Sequence, residues 1–371
     1  MHLSKKSLIV VLVVIVIILC TFITALSGQS KSTKAKVKRI AYVKNNNIWL
    51  MKASGASKQK LTSFSEGTNK ISNLAFCPNG RKIAFVYTDQ SDSLRIYNLN
   101  TGQTSSNLAG SLSSVDCLTW RSNTKLIFDG LGNSSLIKKT NANIYQLDLT
   151  NNSVSQLINE HGLEPRVSPD KKRLAYVSIK LKNNNPNNYL GYESLKYLNF
   201  KNHKTKTVRR SVIEITLDGR AFNNPRWSPN SKKIVTHSTG SDVSGGINTY
   251  ALSGKKLGGF FTSQKNGYLA YGFAEFLDNN RLVYKCCNAA YATKYYLRMS
   301  KINGTKTKTI KRDKFSVWRA GDLSVSISKQ TLLFATYNLA TSKPRNIYSY
   351  GFKSKKIKKL VSGADLPVWQ P

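Results

Sequence analysis

Pro225-Arg-Trp-Ser-Pro-Asn-Ser-Lys-Lys-Ile-Val-Thr236 decides the fold. It reads as strand, tight turn, strand. Trp227 closes the first run, Ser228-Pro-Asn-Ser231 has turn composition, and Ile234-Val-Thr236 is a β-branched return. The same phrase recurs as Leu74-Ala-Phe-Cys-Pro-Asn-Gly-Arg-Lys-Ile-Ala-Phe85, Leu118-Thr-Trp-Arg-Ser-Asn-Thr-Lys-Leu-Ile-Phe128 and Pro165-Arg-Val-Ser-Pro-Asp-Lys-Lys-Arg-Leu-Ala-Tyr176. Weaker copies are Ala274-Glu-Phe-Leu-Asp-Asn-Asn-Arg-Leu-Val-Tyr284 and Val325-Ser-Ile-Ser-Lys-Gln-Thr-Leu-Leu-Phe334. Self-similarity at roughly 40–50 residues signals a propeller, one sheet per repeat. A third strand follows each copy, as at Leu94-Arg-Ile-Tyr-Asn98 and Asn346-Ile-Tyr-Ser-Tyr350, and a short polar fourth strand follows that.

Near the start, Arg39-Ile-Ala-Tyr-Val43 looks like a return strand with no first strand before it. The missing piece stands at the other end, where Leu366-Pro-Val-Trp-Gln-Pro371 matches Asn224-Pro-Arg-Trp-Ser-Pro229. The last residues are therefore expected to supply the innermost strand of the first blade, closing the ring and removing an open edge. Phe76, Trp120, Val167, Trp227, Phe276, Ile327 and Trp369 are the first-strand anchors. They predict an all-β, seven-bladed β-propeller. Six blades is the alternative, if the degenerate Phe276 or Ile327 copy is no true blade.

Three segments are expected: an apolar segment in 1–27, a basic linker over 28–37, and the propeller over 38–371. Lys5 and Lys6 precede an uncharged run from Leu8 to Leu26. At about 1.5 Å per residue that run spans roughly 28 Å, enough for a bilayer core. It reads as a signal anchor or transmembrane helix, the alternative being a signal peptide cut near Ser27 after a small-x-small site. A lipoprotein signal does not fit, because Leu19 precedes Cys20. A long folded domain is exported despite basic residues beside the anchor. The expectation is a single-pass cell-membrane protein with its propeller extracytoplasmic, or a secreted one if cleaved.

At this point the chain resembles a known family. Ser168-Pro-Asp-Lys-Lys-Arg-Leu-Ala-Tyr-Val-Ser178 and Ile48-Trp-Leu-Met-Lys-Ala-Ser-Gly-Ala-Ser-Lys-Gln-Lys-Leu-Thr62 look like TolB-like, WD-like propeller repeats. Dipeptidyl-peptidase and prolyl-oligopeptidase relatives carry the same repeat in their propellers. The resemblance covers about residues 38–371 and implies the fold; the repeat preserves core and turn chemistry rather than a site. It includes neither the α/β domain of TolB-like proteins nor the hydrolase domain of the peptidases.

The sequence contains no metal, nucleophile or phosphate motif: His-x-x-x-His, Cys-x-x-Cys, Gly-x-Ser-x-Gly and the phosphate-cradling glycine loop are all missing. No cofactor or metal is therefore expected, and no catalytic residue is nominated. His2, His161, His203 and His237 are isolated in sequence; His237 follows a strand and is read as structural before it is read as lining the channel. Asp89 and Asp92 lack the glycine and terminal glutamate of a calcium loop. The five cysteines are read as buried or half-buried thiols, with a Cys77–Cys117 bridge as the alternative.

Long connections between second and third strands should emerge on one face, a usual place for binding. They are 129–143 with Lys138 and Lys139, 179–191 with Lys180, Lys182 and Tyr189, 238–246, 288–294 with Tyr291 and Lys294, and 338–345 with Arg345. The 57 Lys and Arg against 18 acids, a net +39, point to anionic partners. Much of that charge falls on last strands and their turns: Lys206, Arg209, Arg210, Lys308, Lys311, Arg312, Lys355, Lys356, Lys358 and Lys359. As outermost strands these form a basic rim, which also guards exposed edges against strand pairing.

These readings give a membrane-anchored, non-catalytic protein-binding or scaffold module of the cell envelope. Its partners are the membrane through 8–26 and another envelope protein or an anionic envelope polymer or lipid. Nucleic acid is not expected, given the export signal and the lack of a recognition motif. The alternative is a propeller with a small-molecule or carbohydrate site in its central channel, catalytic or not. An acid or His cluster converging on that channel would favour the alternative, and a smooth, basic, acid-free channel the first reading.

Overall fold

In the computed structural model the described residues are 38–65, 70–131, 142–181, 190–214, 220–239, 246–261, 269–288, 295–313, 323–326, 330–337 and 344–371. The apolar run 8–26 and the linker 28–37 lie outside them. Among the described residues twenty-eight strands occur in chain order, and none of these residues is helical. Correspondingly, no helix among the described residues is long and apolar enough to cross a membrane.

The strands fall into seven sheets of four. The first three are β1 (Arg39–Lys44), β2 (Asn47–Lys52) and β3 (Gln59–Lys60). Blade 2 is β4 (Lys70–Phe76), β5 (Lys82–Thr88), β6 (Asp92–Asn98) and β7 (Gln103–Thr104). Blade 3 is β8 (Ser113–Trp120), β9 (Lys125–Leu131), β10 (Asn143–Asp148) and β11 (Ser153–Gln156). Blade 4 is β12 (Gly162–Val167), β13 (Arg173–Leu181), β14 (Leu190–Asn199) and β15 (Thr205–Glu214). Blade 5 is β16 (Arg220–Trp227), β17 (Lys233–Thr239), β18 (Gly246–Ala251) and β19 (Lys256–Phe261). Blade 6 is β20 (Leu269–Phe276), β21 (Arg281–Asn288), β22 (Tyr295–Lys301) and β23 (Lys308–Asp313). Blade 7 is β24 (Leu323–Ser326), β25 (Thr331–Tyr337), β26 (Pro344–Gly351) and β27 (Ile357–Ser362).

The last strand, β28 (Ala364–Trp369), pairs antiparallel with β1, so the sheet order of blade 1 is β28-β1-β2-β3. The chain's end thus closes the ring. The first strands touch in a cycle, β28 to β4, β8, β12, β16, β20, β24 and back to β28. Seven blades replace the six-bladed alternative. Six of the seven anchors lie at the end of a first strand; Ile327 lies outside the described residues.

Second strands are buried on both faces because each blade is sandwiched between two others. Ile83-Ala-Phe-Val-Tyr87 is buried throughout, which is why it reads as one apolar run rather than an alternation. The core accordingly divides into clusters that straddle successive blades: Ile83 and Phe85 meet Ile48 and Leu50, and Ala175 and Val177 meet Trp227 and Ile234. Trp369 joins Leu333 and Ile347 where blade 7 meets blade 1.

The turn phrase has a hydrogen-bond logic. At Ser228 the hydroxyl donates to Asn230 Oδ1 (2.8 Å) and accepts from the Lys233 N–H (2.9 Å), while Ser231 closes the turn at φ 58°. Ser168 and Cys77 hold the same place. The Cys77 thiol donates to Asn79 Oδ1 (2.8 Å) and accepts from the Lys82 N–H (3.2 Å). Cys77 thus does a hydroxyl's work in a turn. Cys77, Cys117 and Cys286 are buried free thiols, and Cys287 is buried beside Cys286.

Candidate functional site

The first strands do more than end on an anchor. Four positions before Phe76, Trp120, Val167, Trp227 and Trp369, register with the second strand slips by a bulge. The residue three before the anchor is Asn73, Cys117, Glu164, Asn224 and Leu366, and each has φ between 47° and 56°. This left-handed conformation suits Asn and costs roughly 1–2 kcal/mol at Glu, Cys or Leu. A bulge takes a backbone N–H out of the ladder and re-aims side chains. Here the freed N–H groups of Glu164 and Asn224 are met by carboxylates of the preceding blade, and that of Cys117 by the side chain of Asp116 beside it (2.8 Å).

Glu164 N–H donates to Asp129 Oδ2 (2.7 Å), and Asn224 N–H donates to Glu164 Oε2. Asn73 donates its side-chain amide to Asp116 Oδ1, and Arg226 Nε is bonded to Glu275 Oε1 as an ion pair. Trp227 Nε1 donates to the Arg166 carbonyl (2.8 Å) and Trp120 Nε1 to that of Ala75 (3.0 Å). These bonds stitch blades 2 to 6 together from the inside. They also gather Asp116, Asp129, Glu164 and Glu275 with Arg166 and Arg226, while blade 1 presents Leu366 and Val368 at the matching positions.

The cluster's electrostatics follow from burial. Asp129 is only 4% exposed, and its Oδ1 has no hydrogen-bond partner. Burial, with the charge of Asp116, pushes its carboxyl from 3.8 up to about 7. Burial and the carboxylates of Asp129 and Asp116 hold the Cys117 thiol well above its usual range, so it stays neutral and unreactive. Burial works against the charge of Arg166, but the nearby carboxylates of Glu164, Glu275 and Asp129 hold its proton more firmly than usual. His237 stands apart. It lies inside β17 rather than after it, buried and packed edge-on to Phe273, with ring centroids 5.1 Å apart. Among the described residues, no group of three or more His, Cys, Asp or Glu is arranged to hold a metal ion.

None of these channel residues was singled out by motif. The signal lay just upstream of the quoted repeats: Glu164 and Asn224 precede the matching Pro-Arg pairs of blades 4 and 5, and Asp116 and Asp365 stand at one equivalent position.

Of the loop residues nominated from sequence, Lys138, Lys139, Lys182, Tyr189, Tyr291 and Lys294 lie outside the described residues. Lys180 is exposed but belongs to β13, paired with Tyr192, because the β13–β14 hairpin runs on past the expected strand end. Arg345 lies in β26 rather than in a loop. The last-strand cations are placed more fully. Lys206, Arg209 and Arg210 are exposed on β15, Lys308 and Arg312 on β23, and Lys358 and Lys359 on β27, with Lys355 and Lys356 exposed in the preceding turn. Lys311 is half-buried, its Nζ 5.0 Å from the Tyr348 ring centroid. Arg312 lies over Tyr296 (5.2 Å) and Arg210 over Tyr192 (5.7 Å), where cation–π attraction holds them. Lys358 donates to the Ser54 carbonyl (2.8 Å), tying blade 7 to the turn of blade 1.

Solved structures place this ring among known folds. TolB from Acinetobacter baumannii superposes with a TM-score of 0.51 at 17% identity, over 90% of this chain and 67% of that one. The model of the WD40 domain of anaphase-promoting complex subunit 4 matches residues 31–123. The fold is that of the TolB-like, WD-like propellers. An oligogalacturonate lyase in complex with manganese gives a TM-score of 0.60 at 12% identity, over 88% of this chain and 86% of that one. A prolyl endopeptidase gives 0.56 at 10% identity, over 89% of this chain and only 50% of that one. TolB, a lyase and a peptidase thus share this ring, and the likeness extends to fold alone. No curated protein matches the chain.

Proposed function

We propose that this TolB-like propeller is a non-catalytic binding module of the cell envelope. It is anchored through residues 8–26, lies outside the cytoplasm, and meets an anionic partner along the outer edge of its later blades. One observation carries the reading. The outermost strands β15, β19, β23 and β27 belong to four successive blades, and they and their turns bear exposed Lys206, Arg209, Arg210, Lys256, Lys308, Arg312, Lys355, Lys356, Lys358 and Lys359. The outermost strands of the other three blades are short and, with the turns before them, carry Lys58 and Lys60 alone. An even coat of lysine for solubility would not distinguish one half of a ring from the other.

Affinity capture with the full-length chain from envelope extract, washed at low and then high salt, tests this. One discrete protein retained at high salt supports a scaffold. Anionic polymer or lipid released as salt rises supports an electrostatic surface binder. Nothing captured at either salt overturns the reading.

The carboxylates around the channel support a second reading, a small-molecule site inside the ring. Asp116, Asp129, Glu164 and Glu275 come from three blades and lie far apart in sequence. A chain with 18 acids against 57 basic residues has gathered four of them in one place.

A further inference from the structure

The channel cluster opposes the sign of the whole molecule. Four carboxylates gather with two guanidiniums, and Arg226 is already paired to Glu275. Asp116 is exposed. Behind it Asp129 is buried with one oxygen accepting from Glu164 N–H and the other lacking any donor. A buried acceptor without a donor is costly. It favours the arrival of an N–H-bearing or positively charged group nearby and disfavours a further anion. The groups facing Asp129 are Asp116 and Cys117 on β8, Glu164 and Arg166 on β12, and apolar Ile144 on β10. Cys117 is neutral, so the near field is set by the carboxylates and one arginine.

We propose that the channel binds an organic cation, an ammonium or guanidinium group, among the carboxylates of Asp116 and Glu164, with the carboxylate of Asp129 behind them. The inference rests on the second reading above and names its ligand class. Binding is linked to a proton. Near pH 7 Asp129 is divided between its protonated and ionised forms. A cation brought close favours the ionised form, so the protein releases a fraction of a proton as it binds. The large positive charge elsewhere opposes entry weakly, since at physiological salt it is screened over about 8 Å.

Isothermal titration calorimetry of the full-length protein at pH 7, in two buffers of unlike ionisation heat, reads both features. The probes are n-butylammonium for a free amine and a blocked Ala-Lys-Ala tripeptide for a lysine side chain, with acetate and glucose in parallel. The expected result is saturable binding of one or both cations, with a heat that depends on buffer. The tighter of the two identifies the source. Asp116→Asn weakens binding about tenfold, Asp116→Glu restores it, and Asp129→Asn abolishes the buffer dependence. Thermal melting by circular dichroism verifies that each variant is folded; should Asp116→Asn melt early, Asp116→Glu against Asp129→Asn carries the comparison. Cation binding that is absent, or unchanged in Asp116→Asn, overturns the proposal. Saturable acetate or glucose in place of the cations, lost in Asp116→Asn, overturns it while leaving a channel site standing. No probe binding at all removes both.

Discussion

Asp129 gives the most direct test at the scale of a single residue. Its carboxyl is raised from 3.8 to about 7 in the folded protein, chiefly by burial and then by Asp116. Between these values the folded state holds a proton that the unfolded chain has lost. The stabilisation from protonated Asp129 is therefore complete below about pH 4 and is lost as pH rises through 7. Asn in its place keeps an oxygen for the Glu164 N–H but cannot ionise. Urea unfolding of wild type and Asp129→Asn should show wild type losing ground to the variant as pH rises from 4 to 7, with no further change above about pH 8. A difference that stays flat from pH 4 to 8 would mean that Asp129 titrates normally and that its neighbours do not feel it. The experiment compares two proteins, so the other acids, which titrate in both, cancel to first order.

At the scale of the element, β28 determines whether there is a ring. Its residues pair with β1, and Trp369 packs between blades 7 and 1. Beyond the strand, Gln370 donates its N–H to the Arg39 carbonyl (2.9 Å) and its side-chain amide to the Gly80 carbonyl (2.8 Å), reaching blade 2. Removing residues 365–371 leaves β1 as a bare edge and opens apolar faces on both neighbouring blades. The truncated protein should unfold or aggregate, read by thermal melting and size-exclusion chromatography; unchanged melting would refute closure. That closure was legible in sequence, because the Trp369 phrase repeats the Trp227 phrase and the β1 phrase lacks a partner. Strand and turn chemistry was legible for the same reason: each repeat needs an anchor, a hydroxyl-like turn residue and an apolar second strand. The bulges were not. A bulge is defined by what the partner strand does, and Glu164 or Cys117 at positive φ goes against residue preference. The convergence of Asp129 with Glu164 was hidden likewise, since they sit on strands of different blades, 35 residues apart. The length of the β13–β14 hairpin was also misjudged at Lys180, where cross-strand pairing carries a polar stretch that propensity would end.

At the scale of the whole molecule, charge and architecture pull in different directions. A ring needs its outer edges soluble, and lysine there blocks pairing with other sheets. Yet a net +39 exceeds that need, and much of it is unbalanced. The ion pairs among the described residues are few, and Lys125–Asp148 and Arg281–Asp278 lie partly exposed at the surface, worth little in water. The exposed run Lys355, Lys356, Lys358 and Lys359 places like charges beside one another on one edge. Self-repulsion of this kind destabilises the folded state at low ionic strength and fades as salt screens it; the Debye length falls from about 30 Å at 0.01 M to about 10 Å at 0.1 M. Melting temperature should therefore rise as sodium chloride is raised across that range, and the rise should shrink when Lys355, Lys356, Lys358 and Lys359 are replaced by Gln. If ion pairs dominated instead, salt would lower the melting temperature and the replacements would leave its salt dependence unchanged. The expected sign means that the later blades keep charges that folding alone opposes, as a surface held for an anionic partner would.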